Sequence, residues 1–156
     1  MKKDNPKIMI MMGLPASGKS TWIKKHSKDY VVVELDWIRK DVFGHQFHRN
    51  AEPFVIGFGK SMVRMLLEQG KNVILDSTCL PEFIRNEWIK LASDYCADIT
   101  VVHVTTDLKT CIKRDKMRGK KKVGKDVITN LSTLYQPIDK ESYKWRKIKV
   151  IEVNNA

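Results

Sequence analysis

Residues 11–22 read MMGLPASGKSTW, an apolar segment that breaks into glycine, proline and serine before a lysine and two hydroxyl residues. The spacing Gly13-x-x-x-x-Gly18-Lys19-Ser20 is that of the phosphate-binding P-loop. In such a loop the glycines let backbone amides face a polyphosphate, the lysine reaches the terminal phosphates and the hydroxyl holds magnesium. The stretch therefore predicts a strand, a phosphate-binding turn and a helix, in that order.

The composition is that of a globular protein with an excess of positive charge. The 156 residues are 42% hydrophobic and 30% charged, and the formal net charge is +11. A strongly basic chain favours a polyanionic partner. No apolar run approaches the roughly 18 residues that span a bilayer, and three widely separated cysteines predict free thiols. We expect one domain over residues 1–156, cytoplasmic and without a membrane partner.

Short β-rich apolar runs alternate with helical patterns along the chain. The predicted strands are residues 7–12, 31–35, 73–76, 99–104 and 148–153. The predicted helices are residues 20–28, 51–69, 81–95, 107–119 and 126–135. Such alternation is typical of an α/β fold, with a parallel sheet and helices on both faces.

One segment holds most of the charge imbalance. Residues 109–125 contain nine basic residues against the single acid Asp115, a net charge of +8. The segment is either a solvated basic loop or a lid whose cations close on a nucleoside triphosphate, and the P-loop favours the lid, at about residues 107–125.

Polar side chains at the ends of strands are the candidate catalytic groups. Asp76 closes the third apolar run, where a carboxylate can reach a magnesium shell or cap the next turn. Asp36 is either a general base or a helix N-cap, and Arg39 either grips a phosphate or is solvated. His45 and His48 have no third ligand residue nearby, so we interpret them as the edge of an acceptor channel.

The motifs together resemble the kinase domain of bacteriophage-type 5′-hydroxyl polynucleotide kinases. They are the P-loop, Asp36-x-x-Arg39, LDSTCLPE at 75–82 and KRDKMRG at 113–119, in that order. The resemblance covers nearly the whole chain. It implies a P-loop kinase fold, with a five-stranded parallel sheet of order 2-3-1-4-5 and an Arg/Lys-rich lid. It also implies transfer of the ATP γ-phosphate to the 5′-hydroxyl of DNA or RNA.

The resemblance also implies roles for single residues. Asp36 is the general base, Lys19 and Arg118 are catalytic, and Arg39, Asp76 and Ser77 serve the acceptor side with Asp36. Ser20 holds Mg²⁺ through ATP, and Asp76 orients the site and reaches the metal through water. The expected ATP contacts are Gly13, Ala16, Ser17, Gly18, Lys19, Ser20, Thr21, Arg114 and Arg118. Relatives carry Val-Pro where this chain has Val123-Gly124, which predicts a looser exit from the lid.

Two other functions remain open on sequence. A kinase of a small molecule, such as a nucleoside, a sugar or the amino-sugar nucleotide of zeta-toxin-like kinases, shares the P-loop, the strand-two aspartate and the lid arginines. A nucleic-acid-binding ATPase without an acceptor would use the +8 segment as its binding surface.

Overall fold

The apolar runs form a single five-stranded sheet. The computed structural model describes residues 4–44 and 47–155. The strands are β1 (Lys7–Met12), β2 (Val31–Glu34), β3 (Val73–Asp76), β4 (Asp98–Thr105) and β5 (Lys149–Asn154). All pairs are parallel and the order is β2-β3-β1-β4-β5, which confirms the order that the resemblance implied.

Strand β1 lies at the centre of the sheet. Ile8 pairs with Val73 of β3 on one side and with Ile99 of β4 on the other. The chain connections on the two sides of β1, towards β3 and towards β4, run in opposite directions. A crevice forms at such a switch point in a parallel sheet. The glycine-rich loop follows β1 directly, so the fold places it in that crevice.

Alternating side chains of β1 supply the cores of both faces. Ile8, Ile10 and Met12 are buried in the larger core, which helices 52–68 and 82–94 cover. Met11 packs on the opposite face with Ile23 of the first helix. Helices therefore cover both faces of the sheet, as the alternation predicts.

The helices confirm most predicted positions and shift several ends. They are α1 (Lys19–His26), α2 (Leu35–Trp37), α3 (Glu52–Glu68), α4 (Glu82–Asp94), α5 (Leu108–Lys116), α6 (Lys125–Thr133) and α7 (Lys140–Trp145). A π-helical turn, Ile38–Val42, continues α2. Pro81 precedes α4 with an extended backbone, so it does not open the helix as its sequence position predicts. Gly59 is buried in α3, where a Cβ would lie 2.7 Å from Leu35 Cδ2.

The basic segment is divided into two short pieces of helix. Asp107 caps α5 as predicted, because its carboxylate accepts a hydrogen bond from the Thr110 amide at 2.9 Å. The predicted helix over 107–119 is too long: α5 ends at Lys116, and a 3₁₀ turn, Gly119–Lys121, follows. None of the helices within 4–44 and 47–155 is long and apolar enough to cross a membrane.

Candidate functional site

The P-loop backbone adopts conformations that favour glycine. Gly13 and Gly18 have φ values of 151° and 109°, and Ala16 between them has φ of 61°. A Cβ at Gly13 would lie 2.8 Å from the Val104 carbonyl oxygen. Gly18 lies directly before α1, so the loop delivers the chain into a helix whose first amides face the crevice.

Distant parts of the chain hold this loop in place. The Gly13 amide donates to the Thr78 carbonyl at 3.0 Å, which ties the loop to the segment after β3. The Ser17 carbonyl accepts hydrogen bonds from Thr106 Oγ1 and Asn155 Nδ2, each at 2.8 Å, and from Arg114 Nη1 at 3.4 Å. The sequence reasoning missed Thr106 and Asn155, because neither belongs to a motif.

Lys19 is buried and folded back onto its own loop. Its Nζ donates to the Gly13 and Leu14 carbonyls, at 2.9 Å each. Burial lowers the pKa of Lys19, and the charges of Asp76 and Asp36 oppose that shift. Polyphosphate oxygens would supply the negative charge that this buried ammonium needs.

The residues of the loop fit a nucleoside triphosphate with magnesium. Ser20 and Thr21 lie in the first turn of α1 with exposed side chains, next to the buried ammonium of Lys19. Hydroxyl oxygens at the start of a helix suit a hard cation held by phosphates. Each of the ATP-binding residues predicted from sequence between 13 and 21 lies in this one turn and its helix.

Asp76 ends β3 and is largely buried beside the loop. Burial raises its pKa to about 6, and the negative charges of Glu34 and Asp36 add to the shift, whereas the charges of Lys19 and Arg118 lower it. These five side chains therefore share one electrostatic field at the carboxyl edge of the sheet. Of the predicted site residues, Lys19, Asp36 and Arg118 all act electrostatically on Asp76.

Asp36 lies within α2 and does not cap it. The residue before that helix is Glu34, whose side chain makes no cap bond, so the structure does not favour an N-cap role for Asp36. Its exposed carboxylate pairs with Arg39 Nη1. An exposed carboxylate at the mouth of the site can reach an incoming hydroxyl.

Arg39 is held between two carboxylates. Its Nε donates to Glu52 Oε2 at 3.0 Å and its Nη2 donates to Glu52 Oε1, while Nη1 reaches Asp36. Burial works to lower the pKa of Arg39, but the hydrogen bonds and charges of Glu52 and Asp36 outweigh it and raise that pKa. Glu52, at the start of α3, was not found from sequence because it lies 13 residues from Arg39.

The two lid arginines have different surroundings. Arg114 lies over the P-loop, through its bond to Ser17. Arg118 Nη1 lies 3.6 Å from Asp115 Oδ1, and its side chain is 34% exposed. Arg114 therefore contacts the P-loop, whereas Arg118 pairs with Asp115 within the lid.

The segment after β3 is held by a buried arginine that sequence reasoning missed. Arg85 donates to the Cys79, Leu80, Gln136 and Pro137 carbonyls at 2.5 to 3.2 Å. Its Nε also donates to the Tyr143 hydroxyl at 3.3 Å. This network joins the segment that follows Asp76 to the segment that leaves the lid.

Ser77 lies beside the buried thiol of Cys79. Burial raises the pKa of Cys79 to about 11, and a hydrogen bond with the Ser77 side chain opposes that shift. All three cysteines are unpaired, as predicted.

Of the predicted pair His45 and His48, the structure describes only one member. His48 is exposed, and His45 lies outside the described residues.

Residues 8–138 match the AAA domain family. The chain belongs to that family. With the P-loop, the strand order and the lid, it is a P-loop kinase domain. P-loop kinases use ATP and Mg²⁺ in general.

Proteins similar to this P-loop kinase include two named kinases and a chain of a larger complex. The L-seryl-tRNA(Sec) kinase of Methanococcus maripaludis is 26% identical over 88% of this chain and 54% of its own length. A chain in a structure of the Pnkp1/Rnl/Hen1 complex is 27% identical, with a TM-score of 0.63 over 70% of this chain and 38% of that chain. The Mycobacterium tuberculosis APS kinase CysC shares the fold at 18% identity, with a TM-score of 0.67 over 96% of this chain and 88% of that one. The chain spans about half the length of the curated relative.

Proposed function

We propose that this P-loop kinase transfers the γ-phosphoryl group of ATP to the 5′-hydroxyl of DNA or RNA. The observation that carries the choice of a polymer is the surface of the lid. The side chains of Lys113, Lys116, Lys120, Lys121, Lys122 and Lys125 are all exposed. A single small acceptor needs few cations, whereas a polynucleotide carries a phosphate on every residue.

The position of these lysines supports the same acceptor. They lie on α5, on and directly after the 3₁₀ turn, and at the start of α6, in the segment that carries Arg114 and Arg118. A strand bound at the mouth of the site can therefore meet further positive charge beyond its reacting end. The likeness to the chain in the Pnkp1/Rnl/Hen1 complex, at 27% identity, supports a nucleic-acid acceptor as well.

Asp36 would receive the proton of the acceptor hydroxyl. The acceptor oxygen forms a bond to the γ-phosphorus while the bond from that phosphorus to the β–γ bridging oxygen breaks, and ADP leaves. Arg39 would release Glu52 and bind the 3′-phosphate of the acceptor nucleotide. A bidentate carboxylate and a phosphate offer similar oxygen geometry to a guanidinium, so the exchange conserves the hydrogen bonds of Arg39.

Catalysis in this scheme is mostly placement and charge. Lys19 would leave the Gly13 and Leu14 carbonyls and donate to the β- and γ-phosphates. Arg118 would neutralise charge that develops on the transferred group. Ser20, and Asp76 through water, would hold magnesium, which would offset the charge of the phosphates.

The acceptor is tested by incubating the protein with γ-labelled ATP, Mg²⁺ and a panel of acceptors. The panel holds 5′-hydroxyl DNA and RNA, 3′-mononucleotides, nucleosides, sugars and seryl-tRNA. Label on the oligonucleotide 5′ ends supports the proposal. Label on small molecules alone, or orthophosphate without a labelled acceptor, overturns it in favour of a small-molecule kinase or an ATPase.

The polymer role of the lid is tested by salt and acceptor length. We expect the acceptor KM to fall from a 3′-mononucleotide to an oligomer, and oligomer affinity to fall with salt at a log–log slope of roughly −0.7 per phosphate contact. Changing Lys120, Lys121 and Lys122 to alanine should make that slope shallower by about 2. Changing Lys24, Lys25 and Lys28, exposed lysines in and after α1, removes the same charge elsewhere and should leave the length dependence intact. Equal KM values for mononucleotide and oligomer at every salt concentration would contradict the proposal.

A second candidate is a kinase of a hydroxyl carried by a tRNA. The 26% identity to the L-seryl-tRNA(Sec) kinase over 88% of this chain favours it. This function would use the same basic lid, because tRNA is also a polyanion. Label that is transferred to seryl-tRNA, and not to the 5′-hydroxyl ends of RNA, selects this function.

A further inference from the structure

Asp115 is a buried acid in the middle of the basic lid. Its exposure is 1%, although all seven lysines of residues 109–125 are exposed. A buried carboxylate needs hydrogen-bond donors or a cation close by. Asp115 has both.

The donors to Asp115 come from the end of the lid. The Val123 amide donates to its Oδ1 at 3.0 Å and to its Oδ2 at 3.2 Å, and the Gly124 amide donates to Oδ2 at 2.9 Å. Residues 116–122 are therefore closed into a loop that begins and ends at one carboxylate. This contact also ties down the exit that the Val123-Gly124 pair was expected to loosen.

Gly124 suits this contact in two ways. It has φ of 106°, a backbone conformation that residues with a side chain rarely adopt, and its amide hydrogen reaches the carboxylate. A proline at this position would have no amide hydrogen and would fix φ near −65°. The loop of this chain is thus closed by a hydrogen bond that a proline could not make.

The same carboxylate holds Arg118. The 3.6 Å ion pair uses Nη1, and the charge of Arg118 also lowers the pKa of Asp76 across the crevice. Arg118 is therefore paired with Asp115 and acts electrostatically on Asp76, and its side chain is 34% exposed.

We propose that Asp115 is a positioning residue, which folds the lid loop and directs Arg118 towards the transferred phosphoryl group. The inference rests on the phosphoryl transfer of the proposed function. Asp115 itself touches neither nucleotide nor acceptor. Its effect on catalysis passes through Arg118, whereas its effect on the loop does not require a substrate.

A double-mutant cycle separates positioning from a merely structural role. Asp115→Asn keeps the shape but loses the charge and one acceptor oxygen. We expect it to lower kcat by about 10- to 100-fold and to change the KM for ATP by less than threefold. In an Arg118→Ala background the same substitution should change kcat by less than twofold. An undiminished loss of kcat in that background would show that Asp115 does not act through Arg118.

Asp126→Asn is the matched control. Asp126 is exposed in the first turn of α6, directly after the lid, so this variant makes the same change in charge beside the lid without touching the loop closure. Its kcat should stay within twofold of the unmodified protein. A loss like that of Asp115→Asn would mean that lid charge alone matters, and would overturn the proposal.

Amide exchange tests the loop without any acceptor. In the unmodified protein, NMR should show the Val123 and Gly124 amides exchanging at least tenfold more slowly than unprotected amides. Asp115→Asn should remove this protection and Asp126→Asn should not. Unprotected amides in the unmodified protein overturn the proposal even if the variant does not fold. The kcat arm uses whichever acceptor is labelled, or orthophosphate release, so a wrong acceptor leaves this test readable.

Discussion

Replacing Asp76 by asparagine tests the charge balance of the site through stability. Asp76 is largely buried, and its pKa is raised to about 6 from an ordinary value of 3.8. Burial disfavours the ionised form of a carboxyl, so the folded protein binds this proton more tightly than the unfolded chain does. The favourable contribution of Asp76 is therefore complete below about pH 4 and is lost as the pH rises through 6.

The size of the effect follows from the two pKa values. A difference of about 2 units corresponds to about 3 kcal/mol. Asparagine has no such dependence because it stays neutral. The free energy of unfolding of Asp76→Asn should therefore exceed that of the unmodified protein by about 3 kcal/mol at pH 8, and by only about 1 kcal/mol at pH 4.5.

The measurement is a set of urea and thermal unfolding curves between pH 4.5 and 8, without nucleotide. At about 2 to 4 °C per kcal/mol, the expected rise in Tm at pH 8 is about 6 to 12 °C. Asp29→Asn, at an exposed position before β2, controls for the change in net charge and should shift Tm by little. The reasoning is refuted if Asp76→Asn is no more stable than the unmodified protein at pH 8, or if its advantage does not shrink as the pH falls. Phosphoryl transfer by the same variant should be strongly reduced, since the site loses the carboxylate beside Lys19.

Three further substitutions test single contacts. Asp36→Asn should lower kcat at least 100-fold with little change in ATP affinity, because an amide cannot accept the proton; a fall in Tm with kcat unchanged would show a structural role instead. Gly18→Ala should lower the free energy of unfolding, measured with urea, by about 2 to 3 kcal/mol, because φ is 109° and the new Cβ would lie 1.9 Å from Asn155 Nδ2. Asn155→Ala should lower it by only about 1 kcal/mol. Equal losses in those two variants would remove the argument from backbone strain. Ser17→Ala should stabilise the protein by about 1 kcal/mol, since the buried Ser17 hydroxyl has no hydrogen-bond partner among the described residues; a loss of stability would mean that the hydroxyl is bonded.

Local patterns predicted the parts of the molecule that depend on neighbouring residues. The P-loop and the cap at Asp107 are short motifs, and the strands are continuous apolar runs, so local sequence patterns predicted all of them. Helix α7 was missed because its six residues, Lys140–Trp145, carry no apolar periodicity. Helix α5 ends at Lys116, one residue after Asp115, whose carboxylate accepts the Val123 and Gly124 amides, a contact between residues eight and nine positions apart.

Contacts between distant residues were outside the reach of sequence patterns. Glu52 holds Arg39 from the start of another helix, and Arg85 binds carbonyls more than fifty residues away. Nothing in the composition of either segment marks these pairs. The sequence therefore predicted some of the side chains at the carboxyl edge of the sheet, missed Glu34 and Glu52, and left open which of them contact one another.

The bond from Asn155 to the Ser17 carbonyl joins residues 138 positions apart. A ribosome releases the phosphate loop long before it releases the strand that holds it. Until β5 has docked beside β4, the Ser17 carbonyl lacks the Asn155 amide and keeps the bonds from Thr106 and Arg114, so the loop is held less firmly. Nucleotide affinity should therefore appear late during synthesis, after the whole sheet has assembled, and a chain stalled before residue 149 would bind ATP poorly even though it already contains every residue of the motif.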